Sequence, residues 1–114
     1  MINGLQPRLH TSDLSRAVAF YVEILGFSVG AEFEGFALLE REGIGLQIGG
    51  PLSRTASQPS TCTLYFDVDD ANAMHAALSS KIAIEWGPED FPYGRREFAI
   101  RDPDDNLVII SQQL

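Results

Sequence analysis

Leu5, Pro7, Leu9 and Thr11 alternate with Gln6, Arg8 and His10, a period of two that predicts a strand with one apolar and one polar face. Pro7 has no backbone donor, which sends this strand to a sheet edge or gives it an irregular start. The period then lengthens. In SDLSRAVAFYVEILGF, Leu14, Ala17, Val18, Tyr21, Ile24 and Leu25 recur three and four apart, and Phe20 widens the stripe, so a helix with one apolar face is predicted. Ser12 or Asp13 can accept a free backbone N–H at its start. Gly26 can close it in the left-handed conformation. Three short strands are predicted next, over 28–33, 36–41 and 44–48, with turns at Gly35 and in EGIG.

GGPLSRTASQPS is rich in Gly, Pro and Ser and reads as a linker, after which the pattern starts again. TCTLYFDV predicts a strand. Asp70 can cap a helix running to about Ser80, with Ala71, Met74, Ala77 and Leu78 inward. IAIEW predicts a strand and GPEDFPYG a loop. The final stretch, YGRREFAIRDPDDNLVII, predicts two more strands. Asp13 and Asp70 begin corresponding helices half a chain length apart, so a strand–helix–three-strand unit occurs twice. The expectation is one domain over 1–114, made of a first module at 1–49, a linker at 50–60 and a second module at 61–114.

Composition narrows the function. The chain has 114 residues, 45% of them hydrophobic, enough for a packed core. Eight basic residues face sixteen acidic ones, a formal charge of −8, which argues against nucleic acid as a partner and mildly favours cationic or neutral ligands. A lone cysteine, Cys62, excludes an internal disulfide and fits a reducing cytoplasm. The opening MINGLQPRL shows no signal peptide. No apolar run approaches the ~20 residues of a membrane span.

DLSRAVAFYVEILGF together with REFAIRDPDDNLVII resembles the vicinal oxygen chelate superfamily, the glyoxalase/bleomycin resistance protein/dioxygenase group, over nearly the whole chain. The resemblance implies an α+β fold of two βαβββ modules in a curved eight-stranded mixed sheet, with a concave cup and a homodimer that carries its sites at the interface. Metal enzymes of this group hold an ion at four strand positions, which fall here on Gln6, Gln47, Thr63 and Ile109. A divalent ion wants three or four N, O or S donors at about 2.0–2.3 Å. Amides are weak ligands, threonine rarely serves and isoleucine cannot. The expectation is no metal and no cofactor.

The metal-free bleomycin-resistance branch is the nearer match. QPRLHTSD resembles its first strand and GFSVGAEFEGFALLEREGIGLQI its second to fourth, with Phe36 at a family aromatic. FPYGRREFAIRDP resembles its PWGREFALRDP, with Tyr93 for tryptophan and one added arginine; Tyr65 also falls at a tryptophan position. The chain departs in being shorter before Trp86–Gly87. It also carries Asp104-Asp105 where the second position is usually Gly, although Asp tolerates the left-handed turn. By this resemblance the chain binds and sequesters a small molecule, such as a planar or cationic antibiotic. The alternatives are a lyase or dioxygenase-like enzyme with nonstandard groups, and a dimeric module without a ligand.

Individual residues carry competing readings. Phe33, Phe36, Tyr65, Trp86, Phe91 and Tyr93 suit the wall of a groove for flat or cationic ligands, or dimer packing. Gln47 and Glu97 join Phe33, Phe36, Tyr65, Trp86 and Tyr93 as candidate ligand contacts. No catalytic residue is assigned. His10 is read as structural, with general-base chemistry as its alternative. Asp67 and Glu97 are read as solvated strand charges or as a carboxylate pair. By alternation Phe98 and Ile100 point to the core, and Glu97, Ala99 and Arg101 to the other face. Arg101, Asp102 and Asn106 serve the turn. Arg95 and Arg96 are solvated or contact a ligand or partner at the rim. His75 lies on the surface, and Cys62 is a small core residue.

Overall fold

Asp13 and Asp70 each sit in extended backbone and accept a hydrogen bond from the third amide beyond them, Arg16 N at 3.2 Å and Ala73 N at 3.0 Å. These two caps start α1 (Leu14–Glu23) and α2 (Ala71–Leu78). The computed structural model describes residues 1–50 and 60–114; the linker expected over 50–60 lies, from 51 to 59, outside them. The chain divides into two units, Met1–Thr61 and Cys62–Leu114.

In the first unit β1 (Arg8–His10), β2 (Ser28–Phe33), β3 (Phe36–Arg41) and β4 (Ile44–Gly49) form one sheet in the order β1-β4-β3-β2. β1 runs parallel to β4, and the other pairs are antiparallel. β1 is shorter than the alternation of residues 5–11 predicts. Pro7 cannot donate, so the ladder begins beyond it, although the Pro7 carbonyl still accepts from Gln47 N at 2.9 Å. Ala37, Leu39, Leu46 and Ile48 are buried on one face, which α1 covers with Ala17, Phe20 and Tyr21. Phe20, Tyr21 and Phe27 meet edge to face, their centroids 5.1 and 6.1 Å apart. Gly26, at φ 72°, closes the helix as predicted.

The second unit repeats the plan with β5 (Thr63–Asp67), β6 (Trp86–Phe91), β7 (Arg95–Arg101) and β8 (Leu107–Gln113), in the order β5-β8-β7-β6. β5 is parallel to β8. Phe98, Ile100, Val108 and Ile110 are fully buried, on the face where α2 packs. The architecture is thus two βαβββ modules, α+β, with the eight strands divided between two four-stranded mixed sheets.

Several local expectations are corrected. The sixth strand is Trp86–Phe91 and not Ile82–Trp86, so GPEDF belongs to a strand. Gly87 and Pro88, read from sequence as breakers, form a bulge between Trp86 and Glu89 in the flanking strand β6, where a missing donor is tolerated. A Cβ at Gly87 would lie 2.5 Å from the Glu97 carbonyl, so glycine permits the close approach. α2 ends at Leu78, and Ala77 is exposed. His75 is half-buried, its ring edge-on to Phe98 at 5.3 Å, where the surface was expected. Cys62 is exposed and not in the core.

Candidate functional site

Strand pairing places Tyr65, Ile109, Ala99 and Trp86 in one row across the second sheet, on the face away from α2. Asp67, Ser111, Glu97 and Glu89 form the next row. The loop Pro92–Gly94 then turns Tyr93 back over this face. Its ring stacks on Phe91 at 5.4 Å and an interplanar angle of 9°, and Phe91 meets Trp86 edge-on at 5.8 Å. Tyr65 and Tyr93 remain 61% and 63% exposed. An aromatic surface therefore runs along the face, open to an incoming flat molecule.

Beneath it lies a charge. Glu97 is only 2% exposed, although alternation placed it on the face expected to be solvated; Ala99 beside it is fully buried. The Glu97 carboxylate is compensated by hydroxyls. Tyr93 donates to Oε1, and Ser111 donates to Oε2 at 2.6 Å. Arg95 donates from Nε to the Ser111 hydroxyl at 2.8 Å and from Nη2 to Asp67. This relay is the reason a carboxylate can be held out of water there. The hydrogen bond to Glu97, followed by desolvation and the Glu97 charge, pushes the Tyr93 phenol up to about 12, so it stays a donor. Asp67 and Glu97 are not a carboxylate pair: one is bound to arginine and the other to two hydroxyls. Arg96 is bidentate to Asp90, at 2.7 and 3.1 Å, and holds its carboxyl below the usual range. Sequence reasoning missed Ser111, although a single hydroxyl within LVIISQQ was its signal.

The turn after β7 is structural, as expected. Asp102 Oδ1 accepts from Asp104 N and Asn106 N, both at 2.9 Å, and Oδ2 accepts from Asn106 Nδ2 at 2.8 Å. Asn106 Oδ1 accepts from Cys62 N at 2.8 Å, tying the start of β5 to this turn. Asp105 takes φ 64° at the position where relatives were expected to carry glycine. Arg101 donates to the Asp105 carbonyl at 3.1 Å.

The remaining candidates lie in the first unit. Phe33 and Phe36 stack at 4.8 Å, with Phe33 51% exposed, and the Arg8 guanidinium sits over the Phe36 ring at 5.3 Å. Arg8 donates to Gln47 Oε1 at 3.2 Å, and Gln47 Nε2 donates to Gln6 Oε1 at 2.8 Å. His10 is half-buried at the end of β1. The seven candidate contacts thus fall into two groups: Phe33, Phe36 and Gln47 in the first unit, and Tyr65, Trp86, Tyr93 and Glu97 in the second.

The residues do not fit the ion that metal enzymes of this fold hold. Gln6 and Gln47 are engaged with each other, and Ile109 offers no donor atom. Among the described residues no group of three His, Cys, Asp or Glu side chains gathers. No described helix is long and apolar enough to cross a membrane.

Comparison with known proteins agrees with this architecture. A bleomycin resistance protein of Geobacillus stearothermophilus is 24% identical over 125 aligned positions, covering 95% of each chain. The crystal structure of TnmS3, an antibiotic binding protein of Streptomyces sp. CB03234, superimposes with a TM-score of 0.84 at 28% identity, over 99% of this chain and 98% of that one. A virulence protein of Salmonella typhimurium gives a TM-score of 0.82, also at 28% identity, over 100% and 99% of the two chains. The profile of one family matches residues 5–110, and the chain belongs to that family, the glyoxalase/bleomycin resistance protein/dioxygenase superfamily.

Proposed function

We propose that this protein binds a planar, cationic small molecule of the antibiotic class and sequesters it without a metal or other cofactor. The observation that carries the reading is the exposed aromatic surface of Tyr65, Trp86, Phe91 and Tyr93 above the buried Glu97 carboxylate. Aromatic faces attract flat rings and cations, and a negative charge held under them adds to the attraction. Phe33, Phe36 and Gln47 are proposed as contacts on the first unit's own open face. The names of the bleomycin resistance and antibiotic-binding relatives support the ligand class. We further propose a cytoplasmic, two-fold homodimer, since exposed Val29, Phe33, Ile44, Tyr65 and Tyr93 leave apolar surface to cover. A catalytic reading through His10, Asp67 and Glu97 finds no support in the contacts, because Asp67 is held by Arg95 and Glu97 by hydroxyls.

Calorimetric titration with bleomycin and with a smaller planar cation tests the reading. A stacking contact is worth ~0.5–1.5 kcal/mol and a cation–π contact ~0.5–2 kcal/mol. Tyr93→Ala is therefore expected to weaken binding about tenfold or more while the fold persists. Absence of heat with every such compound sinks the proposal. Unchanged affinity in Tyr93→Ala moves the site elsewhere.

A further inference from the structure

Residues 1–6 precede the β1 ladder and take neither helix nor strand. They are exposed, with Ile2 and Leu5 each at 92%. Within this stretch Asn3 is followed directly by Gly4. A side chain at Gly4 would meet nothing within 4 Å, so the surroundings are open. Among the described residues none forms a hydrogen bond with the Asn3 side chain or the Gly4 amide. The Asn3 amide carbon and the next backbone nitrogen are therefore free to meet, and glycine brings no Cβ to hinder the approach.

The other two asparagines are held out of this chemistry. Asn72 lies in α2, and the nitrogen that would have to attack it, Ala73 N, donates to Asp70 Oδ1 at 3.0 Å. Asn106 is buried, its Nδ2 donates to Asp102 and its Oδ1 accepts from Cys62 N. The amide that follows it, Leu107 N, donates to the Cys62 carbonyl at 3.0 Å. Ring closure needs the backbone at the asparagine to rotate, which a helix or a bonded turn prevents. It also needs the following N–H free, and a bonded N–H must first lose its partner.

We infer that Asn3–Gly4 is a self-modification site, where the chain converts its own asparagine to isoaspartate and aspartate while the fold spares Asn72 and Asn106. Hydroxide removes the Gly4 N–H proton. The nitrogen then bonds to Asn3 Cγ, the Cγ–Nδ2 bond breaks, and ammonia leaves with a proton taken from water. Water next opens the cyclic imide. Cleavage of the new bond to Cγ gives aspartate. Cleavage at the Asn3 main-chain carbonyl gives isoaspartate, with the chain continuing through the former side chain. Water is consumed and ammonia released, and no oxidant or cofactor takes part. Either product adds a carboxylate to a chain whose formal charge is already −8. The change lies ahead of Pro7, whose carbonyl accepts from Gln47 N in the sheet, so the fold persists. The site does not depend on the function proposed above.

The test incubates the full-length protein at mildly alkaline pH, with and without urea, and samples it over days. Each sample is digested after arginine and lysine, with the zero-time sample as baseline. Arg8, Lys81 and Arg101 put the three asparagines in separate peptides. The Asn3 peptide of the native protein is expected to gain acid and isoaspartyl forms, resolved by mass and chromatography, at a rate proportional to hydroxide. The Asn72 and Asn106 peptides of the native protein are expected to keep their amides. Urea is expected to leave the Asn3 rate unchanged, because the fold places no restraint on it. Gly4→Val, which adds a branched side chain where space is open, is expected to slow conversion about tenfold or more. The inference is overturned if Asn3 stays intact in the native protein, whether or not it converts in urea. It is also overturned if Asn72 or Asn106 converts as fast as Asn3, or if Gly4→Val converts at the unsubstituted rate.

Discussion

Tyr93 joins two roles in one side chain: its ring lies on Phe91 in the open, while its hydroxyl is tied to a buried carboxylate. The hydrogen bond favours the neutral phenol, so the folded value of about 12 lies above the ~10 of an unfolded tyrosine. The resulting contribution to stability is whole below pH ~10 and is lost as pH rises through about 12. In an absorbance titration of the phenolate, one tyrosine is expected to ionise near pH 12. Glu97→Gln is expected to return it toward 10, and Tyr93→Phe to remove that step. A titration of the native protein with all phenols ionising near pH 10 would contradict the relay. The aromatic members of this cluster were legible in the sequence because stacking residues are conspicuous by type. The burial of Glu97 was not. Alternation tells which face a side chain takes, and here the cover comes from Tyr93, four positions earlier, and from Ser111 across the ladder.

Legibility varies among the elements for similar reasons. α1 and strands β2, β3 and β4 followed from periodicity, since their apolar positions repeat cleanly and glycines stand at the turns. β6 did not, because Gly87 and Pro88 serve a bulge that only the neighbouring strand explains. The β7–β8 turn was read correctly from DPDDN, and its bonds predict a cost. Asn106 is 2% exposed and holds both Asp102 and the Cys62 amide. Asn106→Ala removes both side-chain bonds, at about 1.5–3 kcal/mol for the one to the Asp102 carboxylate and about 0.5–1.5 kcal/mol for the one to the Cys62 amide. The urea midpoint is expected to fall by an amount that corresponds to at least 2 kcal/mol, with the slope unchanged. A loss under ~0.5 kcal/mol, the scale of an ordinary surface change, would contradict the role given to Asn106.

For the whole molecule, the 57-residue offset between Asp13 and Asp70 was sufficient to show the duplication, because both halves keep the same cap, helix and strand order. Their chemistry has diverged: Arg8 in the first unit corresponds to Tyr65 in the second, so one open face carries a cation where the other carries an aromatic ring. No periodicity could reveal that. The homodimer proposed above brings together two chains of charge −8 each. Their repulsion is long-ranged and screened over about 10 Å at 0.1 M salt. Sedimentation at micromolar concentration is expected to give about twice the 12.5 kDa chain mass, and added salt to strengthen association. A monomer at every salt concentration would exclude the dimer.

The exposed Cys62 at the foot of the Asn106 turn has a practical consequence for handling the protein. Partial desolvation, and then the charge of Asp102, push its thiol up. Air oxidation and alkylation both proceed through the thiolate, so near neutrality both reactions of Cys62 are expected to be slower than those of an ordinary exposed thiol. Alkaline storage removes that protection. A maleimide dye applied near neutral pH, where amines react little, is expected to label Cys62 slowly in the native protein and faster once the turn is disrupted.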